Sequence, residues 1–217
     1  MYLISHRGLD NHIYSENSLR AIEDVLSKDY IDGVEIDVRI TKDKKIVLIH
    51  DSIIDFISNG SGIVKYMNLE DLKKYKYGKS KESITTLDQV LSDINTSKII
   101  LIELKELGND YINLVDETIK IINKYNLNIY ISSFNYKILN YIKSKYSYIK
   151  CGLIIGYGLN ILYIKNNFDF NIVSYHYYNI INYKKATFVF NVKNKLLLKN
   201  DCYLISDESY KYIDKKN

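Results

Sequence analysis

The sequence predicts an eight-stranded parallel α/β barrel, a (β/α)8 architecture filling one domain over residues 1–217. Two observations carry this. Eight short runs rich in Ile, Val and Tyr recur along the chain, and segments of helical period lie between them, the alternation that builds a parallel sheet. A ninth run follows its predecessor after about five residues, too few for a parallel crossover, so it returns antiparallel. A doubly wound open sheet is the other architecture compatible with the alternation.

The predicted barrel strands are Tyr2–Ser5, Val34–Ile40, Ile99–Lys105, Asn128–Phe134, Lys150–Ile155, Asn171–Tyr175, Thr187–Val192 and Cys202–Ser206. Helical patterns cover Glu16–Ser27, Leu87–Ile94, Asn109–Tyr125 and Tyr136–Ser144, with shorter ones near Leu159–Asn166, Ile180–Lys185 and Lys193–Lys199. The ninth run, Ile46–His50, forms a hairpin with Val34–Ile40 about a turn centred on Lys42-Asp43. That register pairs Ile40 with Lys45, Asp37 with Leu48 and Glu35 with His50, and puts Glu35, Asp37, Leu48 and His50 on one face. A one-residue slip would carry His50 to the opposite face. Residues 52–85 hold Gly60, Gly62 and Gly78 among mixed residues, with a short helix at Leu69–Tyr77. They read as a small insertion capping the site.

A chain of this length buries a core without disulfide or metal staples. Its 47% hydrophobic and 26% charged residues suit a globular protein. The formal charge of +4 suits a small anionic substrate. No block of like charge and no basic stripe with interleaved aromatics is present, so nucleic acid is not expected as a partner. The 22 Tyr, with no Pro and no Trp, reflect coding bias rather than function. Cys151 and Cys202 fall in predicted buried strands without C-x-x-C spacing, which argues against zinc and against a disulfide framework. No apolar run approaches the ~20 residues that span a bilayer, so stable membrane insertion is not expected. The first strand begins at Tyr2 and leaves no room for a signal peptide, which makes the cytoplasm the expected location. No feature of the sequence sets an oligomeric state.

The chemistry sits where apolar runs carry charge. His6-Arg7 ends the first strand, Glu35 and Asp37 lie inside the second, and His50-Asp51 ends the ninth run. Buried charge is costly unless a metal, a partner or a substrate compensates it. Glu35 and Asp37 share a strand face, and Glu103 lies on the next parallel strand, about 4.8 Å away. Three carboxylates can therefore converge on one hard cation, Mg2+ or Ca2+. Glu103 has the plainer alternative of an ion pair with Lys105. His6 and His50 can serve as a general acid–base pair flanking a phosphodiester. Arg7 offers a planar fork for phosphate oxygens, or a salt bridge to Glu16. Lys105 can neutralise phosphate charge or hold a metal carboxylate in place. His12, in a polar loop, reads as solvated, and His176 as packed at the core or rim.

These residues carry a family resemblance. His6-Arg7-Gly8, Ser15-Glu16-Asn17-Ser18, Glu35-Ile36-Asp37-Val38-Arg39-Ile40-Thr41-Lys42-Asp43, Ile49-His50-Asp51, Asn59-Gly60-Ser61-Gly62, Thr86-Leu87 and Ile102-Glu103-Leu104-Lys105 resemble the glycerophosphodiester phosphodiesterase family. Weaker echoes are Ser132-Ser133-Phe134, Phe188-Val189-Phe190-Asn191-Val192 and Ile205-Ser206-Asp207. The resemblance implies a TIM barrel of the phosphodiesterase type. It makes Glu35, Asp37 and Glu103 metal ligands, His6 and His50 the acid–base pair, and Arg7 and Lys105 phosphate-side groups. Two family prolines are replaced by Ser15 and by Thr85 or Thr86. An arginine is missing from Asp55-Phe56-Ile57-Ser58, and Phe190 stands where the family has tryptophan. The implied reaction is metal-dependent hydrolysis of a small glycerophosphodiester to glycerol 3-phosphate and an alcohol such as choline or ethanolamine. Two rival readings are a lysophospholipase D or phospholipase C-like enzyme, with Ile53-Ile54-Asp55-Phe56-Ile57 as an apolar rim, and a catalytically silent barrel used for binding.

Overall fold

Among the described residues of the computed structural model (1–10, 13–106, 108–155, 168–174, 187–190 and 202–215) nine strands form one sheet. They are β1 (Tyr2–His6), β2 (Gly33–Ile40), β3 (Ile46–Leu48), β4 (Ile99–Leu104), β5 (Asn128–Ser133), β6 (Cys151–Ile155), β7 (Phe170–Ser174), β8 (Thr187–Phe190) and β9 (Tyr203–Ser206). Strand order is β1-β9-β8-β7-β6-β5-β4-β2-β3, and β1 also pairs with β2. That extra pairing closes eight parallel strands into a barrel, and β3 hangs antiparallel on the outside of β2. The open sheet is thereby excluded. Closure rests on Ile4↔Gly33 to His6↔Glu35 on one side of β1 and Tyr2↔Tyr203 to Ser5↔Ser206 on the other.

Period-two alternation separates two apolar layers. Val34, Ile36 and Val38 of β2, with Ile100, Ile102 and Leu104 of β4, face outward into the helices. Ile4, Leu101, Ile154, Phe170, Ile172, Phe188 and Ile205 fill the barrel interior. Gly152 makes the interior packing possible, because a Cβ there would lie 2.2 Å from the Phe170 ring.

The helices are α1 (Leu19–Leu26), α2 (Leu69–Leu72), α3 (Leu87–Asp93), α4 (Ile112–Ile122) and α5 (Tyr136–Lys145). Three begin on side-chain caps: Ser18 Oγ accepts from Ala21 N, Thr86 Oγ1 from Gln89 N, and Asn135 Oδ1 from Lys137 N. Each satisfies an amide that the helix itself leaves open. Leu114, Val115, Thr118, Ile119 and Ile122 give α4 its buried stripe at helical spacing. The three shorter predicted helices, with His12 and His176, lie outside the described residues.

The hairpin register differs from the prediction by one residue. Val38 pairs with Leu48, Arg39 with Val47 and Ile40 with Ile46. The turn holds three residues rather than two: Thr41 N donates to Lys45 O, and Lys44 sits at φ 60. A left-handed residue at the end of a three-residue loop is a standard hairpin closure, and Lys44 adds the residue that shifts the ladder. Leu48 consequently faces the helix-side core with Ile36 and Val38, not Asp37 and Glu35. β3 ends at Leu48, so His50 is not on a ladder at all.

Residues 52–85 carry a small core of their own. Ile54, Val64, Leu69, Leu72, Tyr77 and Ile84 pack with Val47 and Ile49 of the hairpin's outer arm. Isolated bridges Ile53↔Ile63 and Ser58↔Tyr77 fold the segment back on itself. Its helix stops at Leu72 rather than reaching Tyr77.

Candidate active site at the barrel mouth

Strand register delivers the acids. Asp37 is the direct neighbour of Glu103, and Glu35 of His6. Ligand oxygens of Glu35, Asp37 and Glu103 all lie within 4.8 Å of one another, and all three residues are buried. Lys105 continues the inward face of β4 and brings Nζ to 2.7 Å from Glu103 Oε1 and 3.1 Å from Asp37 Oδ1. Arg7 Nε lies 3.1 Å from Asp37 Oδ2, and its Nη1 donates to both oxygens of Glu16. The ion pairs considered as alternatives in the sequence, Arg7–Glu16 and Lys105–Glu103, therefore both exist, but inside the same cluster.

Two imidazoles complete the mouth. His6 Nε2 is 3.9 Å from Glu35 Oε2, and its Nδ1 lies 2.6 Å from Asp207 Oδ1. His50 Nδ1 lies 2.7 Å from Asp51 Oδ1. A cavity of about 260 Å³ is lined by His6, Arg7, Glu35, His50, Glu103 and Lys105, with Phe134 and Phe190 among its apolar walls. Asp37 lies beneath this lining, wholly buried. All seven residues singled out from the sequence thus meet at one end of the barrel.

Four further residues hold these groups and were not singled out. Asn17 donates Nδ2 to Asp37 Oδ2 while its Oδ1 accepts from Asp37 N, both at 3.0 Å. Arg39 donates Nε to His50 O and Nη1 to Lys105 O, both at 2.9 Å, and so ties β3's exit to β4's end. Asp51 and Asp207 engage the imidazoles. Asn17 and Arg39 were visible as parts of the quoted motifs, and Asp51 adjoins His50. Asp207 lies in the weaker echo Ile205-Ser206-Asp207, which does not show that it meets His6.

The backbone is strained where these groups meet. Arg7 has φ 54 and Gly8 φ 74, two left-handed residues in succession at the end of β1. The conformation costs a non-glycine residue roughly 1–2 kcal/mol. It places the Arg7 amide 3.2 Å from Glu35 Oε2, while Arg7 O accepts from Asn17 N at 2.8 Å.

Burial and neighbouring charge set the protonation of the cluster. Burial, with the Asp37 charge, pushes the Glu35 carboxyl up to about 8. Burial also pushes Glu103 up, to about 7, although Lys105 opposes it. Burial works on Asp37 in the same sense, but Lys105, Arg7 and Asn17 outweigh it and hold that carboxyl below its usual range. Burial lowers His50, and Lys105 adds to the lowering. In His6 burial is overcome by Asp207 and Glu35, so the imidazole sits above its ordinary value. The set fits a divalent cation. Two of three convergent carboxylates resist ionisation for want of positive charge, and the donors are all oxygen. Asp37 Oδ1 and Glu103 Oε1 meet Lys105 as ion pairs without the alignment of a hydrogen bond.

A closed parallel barrel with convergent acids, two imidazoles and two cations at one mouth has the layout of a barrel hydrolase acting on an anionic substrate. The profile of the glycerophosphoryl diester phosphodiesterase family matches residues 6–210, and the chain belongs to that family. A glycerophosphodiester phosphodiesterase from Caldanaerobacter subterraneus subsp. tengcongensis is 36% identical over 72% of this chain and 68% of its own length. A Bacillus subtilis relative is 41% identical over 48% of this chain and 45% of its own length. Among solved structures, an Oleispira antarctica phosphodiesterase in complex with the product sn-glycerol-3-phosphate aligns over 99% of this chain and 96% of its own, with TM-score 0.84 and 21% identity. The Thermotoga maritima glycerophosphodiester phosphodiesterase aligns over 99% and 98%, with TM-score 0.80 and 23% identity. At those identities the two structures show the fold. The family's reaction is hydrolysis of glycerophosphodiesters, and the chain is an enzyme of that type. No helix among the described residues is long and apolar enough to cross a membrane.

Proposed function

We propose that the chain cleaves small glycerophosphodiesters to glycerol 3-phosphate and an alcohol at the barrel mouth. The observation that carries this is the convergence of Glu35, Asp37 and Glu103 within 4.8 Å, in the cavity's floor and wall, beside Arg7, Lys105, His6 and His50. The product named in the Oleispira structure, sn-glycerol-3-phosphate, supports the choice of glycerol arm.

Glu35, Asp37 and Glu103 would hold a divalent cation, Mg2+ or Ca2+, with Asn17 fixing the rotamer of Asp37. When bound, such an ion would supply Lewis acidity for the phosphoryl group and for a nearby hydroxyl. Arg7 and Lys105 bind the non-bridging oxygens and stabilise the charge that builds on phosphorus. Each imidazole is held through Nδ1 by a carboxylate, which leaves Nε2 for proton transfer. One removes a proton from the attacking water or glycerol hydroxyl, and the other protonates the leaving alcohol. The substrate is a small soluble molecule, and Cys151 and Cys202, both buried and neither in a disulfide, suit a reducing cytoplasm. Residues 52–85 act as the cap beside the mouth, within a single domain.

The test is release of glycerol 3-phosphate from a panel of glycerophosphodiesters, with Mg2+, with Ca2+ and with chelator. Turnover restored by either ion after chelation is expected, and full turnover in chelator would remove the metal from the mechanism. One observation favours a second reading on lipid phosphodiesters: Phe56, at 84% exposure, lines a neighbouring cavity that shares His50 with the mouth. Faster cleavage of micellar lysolipid than of glycerophosphocholine would select that reading.

A further inference from the structure

A second, larger cavity of about 750 Å³ adjoins the first and shares His50 with it. Its walls are the loop before α1, the end of β3, and the 56–59 and 76–85 parts of the segment after His50. Leu9, Ile49 and Ile84 are among its apolar lining residues, and Lys76, Lys79 and Lys81 line it from one exposed turn. Of the two carboxylates in its lining, Glu16 is paired with Arg7, and Glu82 accepts a hydrogen bond from the Ser80 hydroxyl. The wall is tied together, since Ser15 N donates to Ser80 Oγ at 3.0 Å and Ser80 N to Ser15 Oγ at 2.8 Å.

We infer that this cleft is the subsite for the leaving alcohol, and that it selects arms bearing a further negative charge over quaternary ammonium arms. The inference rests on the function proposed above and deepens it. A diester held at phosphorus by Arg7 and Lys105 has two arms. The barrel-mouth cavity, closed by Phe134, Phe190 and the interior core, has room for the phosphate and a three-carbon arm. The second arm leaves past His50, the residue common to both cavities. There it meets three lysines against two acids, of which Glu16 is neutralised by Arg7 while Glu82 accepts from the neutral Ser80 hydroxyl and keeps its charge. Anionic arms are attracted and cationic arms repelled. A choline arm finds Glu82 alone as a charge partner, outnumbered by the three lysines of the same lining.

The experiment compares kcat/KM for glycerophosphoinositol phosphate and glycerophosphocholine in the wild type and in a Lys76→Glu, Lys81→Glu double variant. Both positions are exposed, so the fold is retained, and an unchanged melting temperature checks this. The wild type is expected to favour the anionic arm, and the double variant to move the ratio toward choline by about tenfold. An unmoved ratio, or a wild-type preference for choline, overturns the inference. If the wild type cleaves no glycerophosphodiester, the parent reading fails. Calorimetric titration with inositol phosphate then decides the cleft by itself: binding lost in the double variant keeps it as an anion site, and no wild-type binding removes it.

Discussion

His6 Nδ1 lies 2.6 Å from Asp207 Oδ1, although the two residues stand near opposite ends of the chain. The contact exists because β9 pairs with β1 and closes the barrel. A carboxylate on Nδ1 fixes the ring and its tautomer. Asp207→Asn is expected to lower kcat by on the order of 10- to 100-fold while leaving KM nearly unchanged, with partial recovery in Asp207→Glu. Steady-state kinetics of the three proteins checks this, and an unchanged kcat would remove Asp207 from the mechanism.

His50 is reached by a different route, through the Arg39 fork and Asp51 rather than a strand ladder. His50→Ala is expected to lose ~10²-fold or more in kcat. Arg39→Lys keeps the charge but cannot bridge the His50 and Lys105 carbonyls together, so a smaller loss in kcat is expected there. An Arg39→Lys enzyme with full activity would show that the fork is not needed.

The acids make stability depend on pH in a definite direction. Folded Glu35 and Glu103 hold their protons up to about 8 and about 7, above the ordinary carboxylate value. Between that ordinary value and those pKa values the native state binds more protons than the unfolded chain, so unfolding free energy falls as pH rises. His6, raised as well, adds stability below its unfolded pKa that is lost as pH rises through its folded one. Metal-free protein is expected to lose melting temperature from pH 5 to pH 8. Added Mg2+ or Ca2+ should raise it more at pH 8 than at pH 5, because binding needs ionised carboxylates. Scanning calorimetry across that range measures it. Equal stabilisation at both pH values would show that the triad does not carry the effect.

The interior of the barrel has its own test. Gly152→Ala places a methyl 2.2 Å from Phe170, a fully buried ring packed against Phe188. Overpacking of this kind costs about 1–3 kcal/mol. Denaturant unfolding of the variant should show it, and unaltered stability would mean that the ring yields freely.

Most of the fold was legible because apolar runs and helical stretches differ in period, and the predicted β2 and β4 differ from the observed strands by one residue at an end. The acids were legible for a related reason: Glu35 and Asp37 interrupt a buried strand whose other residues face apolar packing. The hairpin register was not. Nothing in Thr41-Lys42-Asp43-Lys44-Lys45 distinguishes a two-residue turn from a three-residue one by composition, and Lys44 is an unusual residue to find at φ 60. His50 reached the site all the same, because the chain bends away after Leu48. Asn17, Arg39 and Asp207 lie in recognisable motifs, but their roles depend on partners 11 to 201 residues away, which only the fold brings to them.

Equilibrium dialysis of Mg2+ or Ca2+, with glycerol 3-phosphate release measured on the same samples, tests the carboxylate triad most directly. The wild type should bind one divalent ion per chain. An Asp37→Asn, Glu103→Gln variant that still folds should bind none and release no product. Equal ion binding and turnover in the two proteins would contradict the account.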